Sequence, residues 1–242
     1  MDKRLKALEQ LWDESARVHS DDRVLAIHFT EDGQALDSSV YEDIFNEIHS
    51  YVGFSPGDVV LEVGAGSGLL LERIADCVGE AIGTDISAEM LKLVPLKPNM
   101  RVVRMDSDSL QFPDSAFDKV VCNAVFQCFP DAAYAKRCLQ EMVRVCKPGG
   151  RIFLGDIFNA YLKNAYVQTV RQKPSLRDRA RSAARRLLNR ADQSYEYLFC
   201  YPHEIQMWAV QAGCRDFKAL LSLCLKKPLL FRIYRFNVLI TK

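Results

Sequence analysis

From residue 59 onward, short β-branched apolar runs alternate with longer segments whose apolar positions recur every three or four residues. Val59-Val60-Leu61-Glu62-Val63 is one such run, and Leu69-Leu70-Leu71-Glu72-Arg73-Ile74-Ala75 behind it has helical spacing. Ala81–Thr84 predicts a second strand ending at Asp85, with a helix beginning near Ser87, a residue type suited to capping. Arg101–Arg104 and Phe117–Cys122 predict two more strands. A helix over 131–145, halted by Lys147-Pro148-Gly149-Gly150, leads to a fifth strand at Arg151–Gly155. Strands alternating with helices are βαβ units, so the pattern predicts a parallel sheet covered by helices on both faces.

The flanks read differently. Residues 1–50 carry helical spacing at Leu5, Leu8, Leu11 and Trp12 and again at Tyr41, Phe45 and Ile48, with a polar break at His28–Gly33. Trp12 and the aromatic positions 41 and 45 read as core rather than as ligand contacts. After Asp156 the alternation stops for about 45 residues. It resumes with a predicted helix at 203–212, a strand near 216–224, and a last apolar segment from Leu229 to Ile240. The phase of that segment changes midway, which predicts a bulge or bend.

Composition narrows the classes. The 242 residues are 49% hydrophobic and 26% charged with a net charge of +1, which excludes a disordered chain and a uniformly basic nucleic-acid scaffold. No apolar run reaches the roughly 18 residues of a membrane span. The polar start Met1-Asp2-Lys3-Arg4 lacks a signal-peptide core, so a cytoplasmic location is expected. Eight scattered cysteines without a C-x-x-C pair fit reduced, structural thiols and offer no metal-ligand cluster. Near-neutrality is also an average over unlike parts: residues 1–50 hold five basic and twelve acidic side chains, whereas 171–190 hold eight basic and one acidic.

The chemistry gathers where strands end. In an open parallel sheet, ligands bind beyond the carboxyl ends of the strands. The first turn there reads Glu62-Val63-Gly64-Ala65-Gly66-Ser67-Gly68. It is not a dinucleotide fingerprint, because the third glycine of G-x-G-x-x-G would fall on Leu69. Asp85 closes the second strand, where a carboxylate can accept both hydroxyl protons of a ribose. Asp106-Ser107 follows the third strand and Asn123 the fourth.

These segments resemble the class I S-adenosylmethionine-dependent methyltransferases. The match runs through LEVGAGSG (61–68), GTDIS (83–87), MDSDSLQFPDSAFDKVVCNAVFQCFPD (105–131) and VRVCKPGGRIFLGD (143–156), about 100 residues in the family's order. The resemblance implies an α/β fold: a Rossmann-like seven-stranded, mostly parallel sheet with helices on both faces. An N-terminal helical lid (1–50), a core (51–156 and 201–242) and an inserted basic helical cap (157–200) would make one domain. It implies S-adenosyl-L-methionine as cofactor, S-adenosyl-L-homocysteine as product, and no metal. Glu62 with Gly64, Ala65, Gly66 and Gly68 would lie by the methionine part. Asp85 would hold the ribose, Ile86 would pack on the adenine, Asp106 and Ser107 would read its edge, and Asn123 would border the sulfonium. Many relatives carry two histidines where this chain has Gln127 and Cys128, so no histidine base is expected there.

Three residues are candidate bases. Asp156 ends strand five, His203 opens a helix, and His28 lies in the N-terminal break. Each has a plainer reading as a capping, solvated or surface residue. The basic stretch carries an apolar stripe (Leu176, Ala180, Ala183, Ala184, Leu187, Leu188), so it suits either a packed solvated helix or recognition of an anionic substrate through Arg181, Arg185 and Arg186. The expected activity is methyl transfer to a hydroxyl of a small, anionic biosynthetic molecule such as a saccharide or secondary-metabolite intermediate. Transfer to an amine, an RNA-modifying role for the basic stretch, and a silent cofactor-binding subunit remain as alternatives; the acidic balance of the rest of the chain weighs against nucleic acid.

Overall fold

The computed structural model describes residues 3–28, 30–31, 34–37, 39–171, 197–221 and 233–242. Three helices come first: α1 (Lys3–Val18), α2 (Arg23–Ala26) and α3 (Ser39–Val52). A two-stranded ribbon, β1 (Thr30–Glu31) and β2 (Gln34–Ala35), lies between the last two. The alternating region follows as β3 (Val59–Val63), α4 (Leu69–Ala75), β4 (Glu80–Asp85), α5 (Ala88–Lys92), β5 (Met100–Arg104), β6 (Phe117–Asn123), α6 (Ala132–Val145) and β7 (Cys146–Phe158). Then come α7 (Lys163–Arg171), α8 (Pro202–Gln211), β8 (Asp216–Leu220) and β9 (Arg235–Thr241).

Seven strands form one sheet in the order β5-β4-β3-β6-β7-β9-β8. β3 through β7 pair in parallel, while β9 runs antiparallel to both its neighbours. The two-residue period of a strand sorts the core into two layers. Val60, Ala81, Val121 and Phe153 face α3 and α4, and Leu61, Ile82, Val120 and Ile152 face α6 and α8. The helices start where capping chemistry allows. Ser87 Oγ accepts from Met90 N–H, and Asp131 accepts from Tyr134 N–H at 2.8 Å.

Two strand expectations need correction. Strand five spans Cys146–Phe158, well beyond 151–155, because Gly149 N–H donates to Lys242 O and Lys242 N–H to Gly150 O, drawing the Pro-Gly-Gly segment into the sheet. The bulge sits on β7 rather than on the terminal strand. Leu154 pairs with Val238 and Ile157 with Phe236, so one extra residue is accommodated around Gly155–Asp156, and Asp156 has φ +57°. The phase change in the last segment coincides with a bend at Tyr234, after which β9 runs regularly from Arg235. The described part of the strand expected near 216–224 is Asp216–Leu220. Arg181, Arg185 and Arg186 lie outside the described residues.

None of the seven described cysteines is in a disulfide, and five of these are buried. Burial pushes the thiols of Cys146 and Cys200 up to about 12, which leaves them protonated and unreactive at neutral pH. Among the described residues no helix is long and apolar enough to cross a membrane.

Candidate active-site cavity

A cavity of about 430 Å³ opens at the carboxyl ends of β3, β4 and β6, where the strand order reverses. Its base is the turn after β3. Gly64 and Ala65 N–H both donate to Thr84 O, at 2.7 and 2.8 Å, tying the turn to β4. Gly64 has φ +77°, and a Cβ there would lie 2.4 Å from Val125 Cγ2. The turn thus passes closer to the neighbouring chain than any other residue type permits.

Two carboxylates face this cavity, Asp85 half-buried and Glu62 buried. Asp85 accepts Gly66 N–H at 2.8 Å through Oδ2 and Ser87 N–H at 2.9 Å through Oδ1. Burial raises its pKa, and those N–H groups oppose the rise. A carboxylate has about four lone-pair positions, so Asp85 keeps acceptor capacity for hydroxyl groups of a ligand. Glu62 is 3% exposed, and its Oε2 has no hydrogen-bond partner among the described residues. Burial, then the neighbouring Asp85, holds its pKa well above the ordinary glutamate range. An unsatisfied buried carboxylate oxygen on a cavity wall is costly unless a donor fills it, and a cationic amino group is the partner that suits it best.

The roof comes from the N-terminal segment. Leu5, Leu8, Leu11 and Trp12 of α1 line the cavity. Asp13 latches the helix onto the β4–α5 turn, accepting Ser87 O–H at 2.6 Å and Glu89 N–H at 3.3 Å. His28 also lines it, in the left-handed region at φ +55°. Its Nε2 is 2.9 Å from Ser15 Oγ, which itself donates to Ala26 O; the ring therefore donates from Nε2 and keeps Nδ1 as its basic nitrogen. Burial, then His19, lowers its pKa, so the ring is neutral at pH 7.

The other expected residues are distributed unevenly. Ile86, Ser107 and Asn123 line the cavity with Glu62, Gly64, Ala65, Gly66 and Asp85. Gly68 lies behind the turn as the left-handed cap of α4. Asp106 is set back, its carboxylate accepting the hydroxyl of the cavity-lining Tyr134. Asp156 and His203 do not reach the cavity. Asp156 is fully buried beside Arg235, with Oδ2 3.7 Å from Nη1, and His203 Nδ1 is 2.9 Å from the exposed Tyr161 hydroxyl. Several lining residues escaped the sequence reading, among them Tyr41, Arg235 and Trp12, the last also expected in the core. Tyr41, expected in the core, is buried but also lines the cavity; burial, Asp156 and Glu62 all raise its pKa. Arg235 supplies the one Lys or Arg side chain among the described lining residues. The available signal is a charge at the start of the largely apolar terminal strand.

A carboxylate for hydroxyl pairs, a carboxylate for a cation and apolar walls for a flat ring suit an amino-acid nucleoside. Among the described residues no cluster of three His, Cys, Asp or Glu side chains could hold a metal. A family model of a methyltransferase domain matches residues 61–154. The chain is 38% identical over 140 residues to the chondramide synthase of Chondromyces crocatus, covering 53% of this chain and 4% of that protein. It is 34% identical over 106 residues to the demethylmenaquinone methyltransferase of Renibacterium salmoninarum, covering 43% and 44%. To the phosphatidylethanolamine N-methyltransferase of Cereibacter sphaeroides it is 36% identical over 109 residues, covering 42% and 52%. The chain thus spans about half or less of these curated relatives. Among solved structures, the magnesium protoporphyrin IX methyltransferase of Synechocystis with bound S-adenosylhomocysteine superposes with a TM-score of 0.63 at 12% identity, covering 98% of this chain and 99% of that one.

Proposed function

We propose that this chain, whose residues 61–154 match a methyltransferase-domain family model, is a class I S-adenosylmethionine-dependent methyltransferase that binds S-adenosylmethionine in this cavity and methylates a hydroxyl oxygen of a small anionic molecule. The observation that carries the cofactor assignment is the pair of carboxylates at adjacent strand ends, Glu62 buried and Asp85 half-buried. Glu62 presents an unfilled oxygen to the amino group of the methionine part, and Asp85 presents acceptors to the ribose hydroxyls. Ile86 and Ser107 border the adenine, and Tyr134 fixes Asp106 beside them. The bound cofactor supplies a methyl group on a positively charged sulfur, open to in-line displacement.

The chain's own residues then have to position and desolvate. Leu5, Leu8 and Trp12 close the cavity over the cofactor and keep water from the reacting atoms. Asn123, at the end of β6, borders the transfer path. Arg235 favours oxygen over nitrogen, because an amine acceptor arrives protonated and a buried guanidinium repels it. Of the three candidate bases, His28 is the one on the cavity wall. Its neutral Nδ1 can take the hydroxyl proton.

The test is thermal unfolding with S-adenosylhomocysteine, followed by a screen of hydroxylated acceptors for its release. A hundredfold excess over the dissociation constant stabilises by ~2.7 kcal/mol, or roughly 5–10 °C for a chain of this size. No shift removes the cofactor assignment. Turnover with amines alone removes the oxygen preference, and no turnover with any acceptor favours a silent binding subunit.

A further inference from the structure

The acceptor end of the cavity is built differently from the cofactor end, and its construction specifies what it reads. Arg235 is 9% exposed and lines the cavity together with Cys128 and Tyr197, both within its electrostatic reach. Its guanidinium lies 4.3 Å from the centre of the Phe158 ring and 3.7 Å from the Asp156 carboxylate. Phe158 is the hub of an aromatic cluster, with Tyr166, Tyr197 and Phe199 rings centred 4.8, 5.0 and 5.0 Å from it.

Stability alone is a poor account of this arrangement. A buried ion pair is commonly no better than apolar residues of the same volume. Asp156 is moreover held at φ +57° on the β7 bulge, its N–H donating to Asn237 Oδ1 at 2.9 Å, and Asn237 Nδ2 donating to Glu47 Oε1 at 3.1 Å. The left-handed conformation costs about 1 kcal/mol. Bulges of this kind re-aim a side chain, and this one presents a carboxylate to the guanidinium. The positive cofactor has no use for a cation near its sulfur. The cofactor end already places Glu62 and Asp85 on the same cavity, so the charge of Arg235 serves a negatively charged partner.

Resting on the methyltransferase reading, we propose that Arg235 is the acceptor-recognition residue, that Asp156 is its positioning residue, and that the acceptor is a flat aromatic ring bearing an anionic oxygen. The guanidinium offers a planar fork to a carboxylate or phenolate and a stacking face to the ring that carries it. Tyr197 and the cluster behind it supply an aromatic wall at low conformational cost.

The experiment is calorimetric titration of the S-adenosylhomocysteine complex with three probes: para-hydroxybenzoate, its neutral methyl ester, and cyclohexanecarboxylate. The expected result is saturable binding of para-hydroxybenzoate, about tenfold or more tighter than of either control. Arg235→Met should erase that preference and leave S-adenosylhomocysteine affinity within about threefold of wild type. If Arg235→Met does not fold, the double variant Asp156→Asn with Arg235→Met removes the pair without stranding a buried charge and serves the same comparison. Equal binding of acid and ester, no binding of any probe, or a parallel loss of S-adenosylhomocysteine affinity in the variant overturns the proposal. In the last case Arg235 serves the cofactor's own carboxylate. Failure of the wild type to bind S-adenosylhomocysteine overturns the methyltransferase reading as well, so the two failures are distinct.

Discussion

The two halves of the cavity are made of different material. The half at β3 and β4 is mostly backbone: a glycine turn tied to Thr84, and a carboxylate oriented by the N–H groups of Gly66 and Ser87. The half beside β7 and β9 is mostly side chain: a guanidinium and the Tyr197 ring on the wall, with a bulged carboxylate and tilted aromatic rings behind them. Backbone geometry is insensitive to most substitutions outside the glycines, so the first half suits a fixed ligand. Side chains can be exchanged one at a time, so the second half suits a ligand that differs between relatives.

Substitutions should separate the halves. The largest effect is expected from Asp156→Asn, which strands the buried Arg235 and should cost about 3 kcal/mol of folding stability while S-adenosylhomocysteine affinity holds. Denaturant unfolding with calorimetry checks both, and a loss of cofactor affinity would merge the halves. Asp85→Ala acts on the other side. It should weaken S-adenosylhomocysteine roughly a hundredfold, about 2.7 kcal/mol, and a change under threefold would remove the ribose assignment.

Glu62→Gln should weaken the same ligand by about 2 kcal/mol, roughly thirtyfold. It should also stabilise the ligand-free protein at neutral pH. Burial raises the carboxyl pKa in the folded state above its unfolded value, so the folded state binds the proton more tightly. The ligand-free protein then loses stability as pH rises from the unfolded value through the raised folded one, and the glutamine variant lacks that loss. Matching melting curves of the two proteins across pH would show that Glu62 is not held in an unfavourable charged state. The smallest effect belongs to the roof. Asp13→Ala removes the latch to Ser87 and Glu89 and should weaken S-adenosylhomocysteine about fivefold, near 1 kcal/mol. Unchanged binding would make α1 a bystander.

The same division explains what was legible in the sequence. Glu62, the glycines, Asp85, Ser107 and Asn123 fall within one stretch of βαβ units, each at or beside the end of a strand that a short apolar run reveals. The strand-end rule therefore locates them without a structure. Arg235 and Tyr41 reach the cavity from elements far apart in the chain, and their neighbours look like ordinary core sequence. Their roles depend on β9 lying beside β7 and α3 lying against the sheet, pairings that no local pattern encodes. The position of Asp156 at a strand end is legible in the sequence, but its left-handed backbone and buried partner carry no local signal. His203 attracted attention as a titratable group at a helix start, and the helix carries it to the outer surface beside Tyr161.

β9 threads between β7 and β8, and Arg235 is its first residue. The acceptor end therefore depends on the pairing of greatest sequence separation in the sheet. The glycine turn and Asp85 need only the pairing of β3 with β4 through neighbouring segments, whereas the guanidinium needs a strand more than 70 residues beyond β7 to lie antiparallel between β7 and β8. A chain lacking that pairing would hold a nucleoside shell with no means of choosing what to methylate. Under the proposed assignment, selectivity thus rests on a longer-range pairing than cofactor capacity does.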